Sequence, residues 1–126
     1  MLFDTDILIW VLRGHRGAAG LIDDAREPRI SVVTWMELAM GARSRAEMRS
    51  IKDFLGEHGF IVLPLSENIG HRAAVYVEEY GLGSGLSVGD ALIAATAVEE
   101  GVTLCTGNVK HFRVVKDLAL QPLRPR

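Results

Sequence analysis

Short apolar runs and stretches of helical spacing follow one another along this chain, so its pattern of hydrophobic and polar positions predicts strands and helices in alternation. Residues 1–4 form an apolar run that ends in a carboxylate, Asp4, and from Asp6 onward Ile7, Trp10 and Val11 fall at helical spacing as far as Arg13 and Gly14. After Pro28, residues 29–33 are short and rich in β-branched side chains, which predicts a second strand. Thr34 then opens a helix carrying Trp35, Leu38, Ala39 and Ala42 on one face. A polar helix is expected over residues 45–57, broken at Gly59, before a strand at 60–63 that Pro64 ends. Residues 68–80 read as helix, residues 81–85 as a glycine-rich loop, and Ser87 begins a long helix through Glu100 that Gly101 stops. Residues 102–106 are the last clear strand, and residues 114–123 add at most a short edge piece.

This alternation predicts an α/β chain: a mostly parallel central sheet covered by helices on both faces, three layers in a single unit spanning residues 1–126. In such sheets a ligand lies outside the carboxyl ends of the strands, where the strand order switches. Hydrophobic residues make up 48% of the chain and the mean hydropathy is +0.18, enough to fill a core and too apolar for a disordered chain. A single cysteine, Cys105, lies in an apolar run, so no intrachain disulfide can form and a reducing cytoplasm is the expected compartment. The N-terminus carries Asp4 and Asp6 and no basic residue before its apolar stretch, the reverse of a signal peptide. Residues 91–98, the longest nearly apolar run, fall far short of the ~20 residues of a membrane span. A net charge of −2 gives no global attraction to nucleic acid, and the basic stretch of Arg43, Arg45, Arg49 and Lys52 reads as a solvated helix face.

The candidate chemistry lies in the carboxylates. Asp4 closes the first strand, Glu37 falls in the first turn after the second, Asp90 in the first turn of the long helix, and Asn108 two residues after the last clear strand. Acids converging in a cleft repel one another, and a hard divalent cation, Mg²⁺ or Mn²⁺, relieves that repulsion through oxygen ligands. Plainer roles compete. Thr34-x-x-Glu37 and Ser87-x-x-Asp90 both fit the helix capping box, Asp4 or Asp6 fits a helix cap, and Asn108 after Gly107 fits a turn. His15, His58, His71 and His111 lack metal-ligand spacing and read as surface residues. Trp10, Trp35, Met36 and Met40 read as core.

Four stretches, residues 2–9 (LFDTDILI), 31–38 (SVVTWMEL), 90–97 (DALIAATA) and 106–112 (TGNVKHF), together resemble the PIN-domain ribonucleases, in particular the short VapC-type toxins of toxin–antitoxin pairs. The resemblance implies a three-layer α/β/α PIN-like fold with Asp4, Glu37 and Asp90 as metal-binding acids and Thr5 or Asp6 supporting the first of them. Asn108 stands where many relatives carry a fourth acid, which implies one tightly held Mg²⁺ or Mn²⁺, with a second arriving alongside RNA. His111 and Asp117 are weaker candidates for the missing polar partner. The implied activity is hydrolysis of single-stranded or looped RNA by metal-activated water, leaving a 5′-phosphate and a 3′-hydroxyl. Arg13, Arg16, Arg43 and Arg45 are candidates to hold the RNA backbone. The same resemblance implies a homodimer and a VapB-type antitoxin laid across the active-site groove, for which Trp10, Trp35, Met36 and Met40 would be apolar anchors. Residues 2–6 also look like the first motif of haloacid-dehalogenase-type phosphatases, in which Asp4 would be the nucleophile, but the late strand ending in an acidic pair is missing. A non-catalytic PIN-fold RNA-binding module is the remaining alternative.

Overall fold

Strands of two or three residues build this protein, and the first four each hand over to a helix within a few residues or none. The computed structural model describes residues 1–123, so the last three residues of the expected unit 1–126 lie outside the described residues. In chain order the elements are β1 (Leu2–Phe3), α1 (Thr5–Leu12), α2 (Arg16–Asp24), β2 (Arg29–Ser31), α3 (Val32–Met40) and α4 (Arg45–Glu57). There follow β3 (Ile61–Leu63), α5 (Glu67–Ser84), α6 (Val88–Glu100), β4 (Leu104–Thr106), α7 (Val109–Phe112) and β5 (Leu120–Pro122). The five strands form one sheet in the order β3-β2-β1-β4-β5, and every pairing is parallel. The order reverses between β1 and β4, so the switch point lies at the carboxyl ends of those two strands.

Strand periodicity accounts for the layers. Leu2 and Leu104 pair across β1 and β4 and join a core with α5, α6 and α7, built around Ile69, Tyr76, Ile93 and Phe112. Phe3 and Cys105, the next residues along, point the other way into a second core with Ile7, Leu8, Ile22, Ile51 and Leu55 from α1, α2 and α4. The central strands β1 and β4 are therefore buried on both faces, as a parallel sheet requires, while the edge strands β3 and β5 are largely exposed. α3 bridges the two cores at the end of the sheet: Val33 belongs to the first and Leu38 to the second.

The helices over 45–57 and 88–100 match expectation, and Gly101 ends the second in the left-handed conformation. α5 departs from helical angles at Leu82 and Gly83, where the glycine-rich loop was expected. Other expectations are corrected. The second strand stops at Ser31 and α3 begins at Val32, because the buried Ser31 hydroxyl accepts the Val33 N–H at 3.0 Å and so caps the helix three residues before Thr34. The Thr34-x-x-Glu37 capping box consequently does not form, and Thr34 is a buried residue inside the helix. α2 and α7 were not expected. α2 carries little apolar signal among Gly17, Ala18, Ala19 and Gly20, and α7 is a single turn. Met36 and Met40 are 47% and 87% exposed, so they lie on the surface and not in the core, while Trp10 and Trp35 are half-buried. His15 is half-buried as well: its Nδ1 accepts the Ala18 N–H at 3.0 Å, capping α2, and its ring lies against Trp10. No helix among the described residues is long and apolar enough to cross a membrane.

Ser31→Ala should therefore lower stability by about 1 to 2 kcal/mol, since it strands the Val33 N–H at a buried helix start. Urea unfolding of the two proteins measures this, and equal midpoints would show that Ser31 does not cap α3.

Candidate active site

Asp4 occupies the seam between strand and helix. It leaves β1 in an extended conformation, and its Oδ1 accepts the Thr5 N–H at 2.8 Å to cap α1, as one of the plainer readings expected. Phe3 pairs with Cys105, so the next residues along, Asp4 and Thr106, end up side by side, and the Thr106 hydroxyl donates to Asp4 Oδ2 at 2.7 Å. The same hydroxyl accepts the Asn108 N–H at 2.9 Å. Asp4 is 5% exposed, and burial drives its pKa from an ordinary 3.8 to about 7. Repulsion from Asp6 and, more weakly, from Asp90 adds to the rise, against the lowering effect of the bonds from Thr106 and Thr5.

Asp6, in the first turn of α1, reaches across to the turn after β4, where its Oδ2 accepts the Gly107 N–H at 3.1 Å. Its Oδ1 is buried and meets no hydrogen-bond donor. Burial raises its pKa, the Gly107 and Ile7 amides lower it, and the Asp90 charge raises it further. Gly107 leaves room for the Trp10 ring: a Cβ there would lie 2.2 Å from Cη2 and 2.8 Å from Cζ3 of Trp10, so any side chain would push the ring aside, and 3.0 Å from Asp6 Oδ2, a tight contact.

Glu37 enters from α3. Its Oε1 accepts the Thr5 hydroxyl at 2.6 Å, and that hydroxyl stands 3.1 Å from the Thr34 hydroxyl. Its Oε2 lies 3.3 Å from where a Cβ on Gly89 would stand, so the bare glycine lets this acid approach α6 one residue before Asp90. Asp90 forms the expected capping box: Ser87 Oγ accepts the Asp90 N–H at 3.0 Å, and Asp90 Oδ2 accepts the Ser87 N–H at 3.1 Å. The His111 Nδ1 stands 3.3 Å from the same Oδ2 and 2.8 Å from the Asn108 amide nitrogen. One ring nitrogen accepts from the amide only when unprotonated and donates to the carboxylate only when protonated, so these two contacts are alternatives.

The structure thus brings Asp4, Asp6 and Asp90 within electrostatic reach of one another, with Glu37 tied in through Thr5 and Asn108 through Thr106 and His111. Asp117 is not brought in. It accepts hydrogen bonds from Arg72 at 3.0 Å and from the Tyr76 hydroxyl at 2.9 Å, both on α5. Among the described residues, no three His, Cys, Asp or Glu side chains stand close enough together to hold a metal ion between them. Cys105 lies beneath the acids, where burial pushes its thiol up to about 11 and excludes a thiolate role. Arg13 and Arg43 share with Glu37 a cavity of about 370 Å³ floored by Ile9, Leu38 and Ile51, which Arg16 and Arg45 do not line. A larger cavity, about 470 Å³, lies by α5 around Arg72 and Tyr76 and touches none of these acids. Thr106 and Gly107 carried no role in the sequence reading. Their signal was the pairing of β1 with β4, which makes Asp4 and Thr106 neighbours and which the sequence does not display.

A parallel sheet with acids gathered at its switch point defines a class, and the family model for the PIN domain matches residues 1–118; the chain belongs to the PIN-domain family. Among curated proteins it is similar to Ribonuclease VapC10 of Mycobacterium tuberculosis, at 37% identity over 100% of this chain and 98% of that protein. Among solved structures it is similar to a toxin–antitoxin complex from Klebsiella pneumoniae, with TM-score 0.79, 31% identity and 94% of each chain covered. A second is VapBC-1 from nontypeable Haemophilus influenzae, with TM-score 0.78, 25% identity and 96% of each chain covered. The resemblance to VapC-type PIN domains carried by the four stretches is borne out, and the expected α/β/α fold with it. The phosphatase resemblance, which rested on residues 2–6, gains nothing from these relatives.

Asp4 binds its proton more tightly folded than unfolded. Its contribution to stability is therefore complete below roughly pH 4, the unfolded value, and is lost as the pH rises through about 7. Metal-free protein in EDTA should lose stability across that window, and Asp4→Asn should flatten this part of the profile. Urea midpoints measured from about pH 4 to 8 test it, and parallel profiles for the two proteins would contradict it.

Proposed function

We propose that this chain is a divalent-metal-dependent endoribonuclease that acts as the toxin of a toxin–antitoxin pair. The observation that carries the reading is the gathering of Asp4, Glu37 and Asp90 around the carboxyl ends of β1 and β4 in a PIN-domain chain. The VapC10 relative's name, a ribonuclease, supports RNA as substrate. The all-oxygen donor set fits Mg²⁺ or Mn²⁺ in character, and Asp4, Asp90 and Glu37 are the residues that would hold the ion. Such ions are commonly held by one or two carboxylates and completed by water and substrate phosphate, so a cage of three protein ligands is not required. An ion held by Asp4, Asp90 and Glu37 would supply Lewis-acid polarisation of the phosphate and a water of lowered pKa as the nucleophile.

The chain's own groups do the remaining work. Thr5 orients the exposed Glu37, Thr106 holds Asp4, and burial of Asp4 at the seam of β1 and β4 keeps bulk water from screening its charge. Asn108 contributes an amide dipole at the place of a fourth acid, without charge. Arg13 and Arg43 would hold the RNA backbone, a role their shared cavity with Glu37 supports. Met36 and Met40, exposed on either side of Glu37, suit an antitoxin segment covering the acids, and the complexes among the structural relatives support a VapB-type partner. A cytoplasmic homodimer completes the proposal.

Purified, antitoxin-free protein should cut single-stranded RNA with Mg²⁺ or Mn²⁺, stop in EDTA, and lose the activity in Asp90→Asn. Undiminished cutting by a contaminant-free Asp90→Asn preparation would overturn the assignment, and RNA binding without cutting by the wild type would favour the non-catalytic module. Asn108→Asp should preserve cutting and tighten metal binding, since it adds an anionic oxygen where the amide stands. A large loss of activity would show instead that the amide is needed as a donor.

A further inference from the structure

We propose that Asp6 is a direct ligand of the divalent ion, its Oδ1 supplying the anionic oxygen that Asn108 does not. The inference rests on the metal-dependent reading above and deepens it. Among the described residues, Asp6 Oδ1 is a buried side-chain oxygen with no hydrogen-bond partner. Both oxygens of its neighbour Asp4 are engaged, Oδ1 by Thr5 and Oδ2 by Thr106, and Glu37 and Asp90 each have one oxygen engaged, so Asp6 Oδ1 differs in being unpartnered and buried at once. A buried carboxylate oxygen without a donor is costly, and a cation is one of the few partners that a crowd of acids can share.

The side chain is also held in place, as a ligand has to be. Asp6 Oδ2 is fixed by the Gly107 N–H at 3.1 Å, and the Trp10 ring closes over Gly107 so tightly that a Cβ there would overlap it at 2.2 Å. Anchoring one oxygen leaves the other fixed in orientation within electrostatic reach of Asp4 and Asp90. A purely structural role for Asp6, tying α1 to the turn after β4, needs only one accepting oxygen. A carboxamide would serve that role equally, and this difference separates the two accounts.

The test is Mn²⁺ titration, by calorimetry or by electron paramagnetic resonance of the free ion, of the full chain as wild type, Asp6→Asn and Asp90→Asn. Melting in EDTA and exchange protection of the Gly107 amide report whether each variant keeps the fold and the anchoring bond. Asp6→Asn should keep both and bind Mn²⁺ more than about a hundredfold more weakly, beyond the loss that removing an outer partner of a ligand causes, and a smaller loss would leave Asp6 a supporting residue of Asp4 and overturn direct ligation. An affinity equal to wild type in a folded Asp6→Asn, with Asp90→Asn weakened, would overturn this assignment and leave the metal-dependent reading standing. Unchanged affinity in both variants would overturn the metal reading as well. If Asp6→Asn fails to fold, carbon-13 resonances of the unaltered protein decide: Mg²⁺ should shift the Asp6 carboxyl while leaving those of the exposed Asp23 and Asp24 in place. An unmoved Asp6 carboxyl would refute direct ligation.

Discussion

Everything at the acidic end of this sheet depends on β1 lying beside β4. The two strands are only two and three residues long, yet their register brings residues 102 positions apart in sequence into hydrogen-bond contact, Thr106 donating to Asp4. A carboxylate with so little access to water is tolerated only where donors are supplied. Here they come from both sides, an amide from its own helix and a hydroxyl from the neighbouring strand. The hydroxyl passes the interaction on to the Asn108 amide, so the turn after β4 is built on the acid that ends β1.

The helices divide their labour around that pair. α1 supplies Asp6 and lays Trp10 over Gly107, α6 supplies Asp90 from its first turn, and α3 bridges the two cores while holding Glu37 between them. Thr5 is the hinge of this arrangement: its N–H serves Asp4 and its hydroxyl serves Glu37, so one residue sets the relation between acids from two elements. Some of these groups serve stability and chemistry at once. Asp90 closes a capping box with one edge of its carboxylate, and it is drawn toward His111 by the same oxygen.

Much of the architecture was legible because it is written in local periodicity. The helices over 45–57 and 88–100, with Gly59 and Gly101 as stops, follow from spacing and termination chemistry alone. The start of α3 was misread because two capping hydroxyls, Ser31 and Thr34, stand three residues apart, and the strand pairing with β3 that ends at Ser31 is a tertiary fact. α2 was missed although Ala18, Leu21 and Ile22 form its inward face, because a helix of nine residues with Gly17 and Gly20 in it has weak helical propensity. At the site, the acids stood out by residue type, whereas the groups that hold them did not. The roles of Thr106 and Gly107 come from strand adjacency and from the bulk of Trp10, neither of which any sequence spacing records.

The handover from strand to helix at Asp4 and at Ser31 takes place with no loop between the elements. Most enzymes vary their sites by lengthening or shortening the loops that carry them. That route is closed here. One residue inserted after Phe3 would turn α1 by about 100° relative to the sheet, carrying Ile7 and Leu8 out of the core and Asp6 away from Gly107. Diversification of this end of the molecule is confined to exchanging side chains on a fixed frame. New specificity would have to be grafted onto the faces that project beyond that frame, among them the outer turns of α3 and the segment leading into α4.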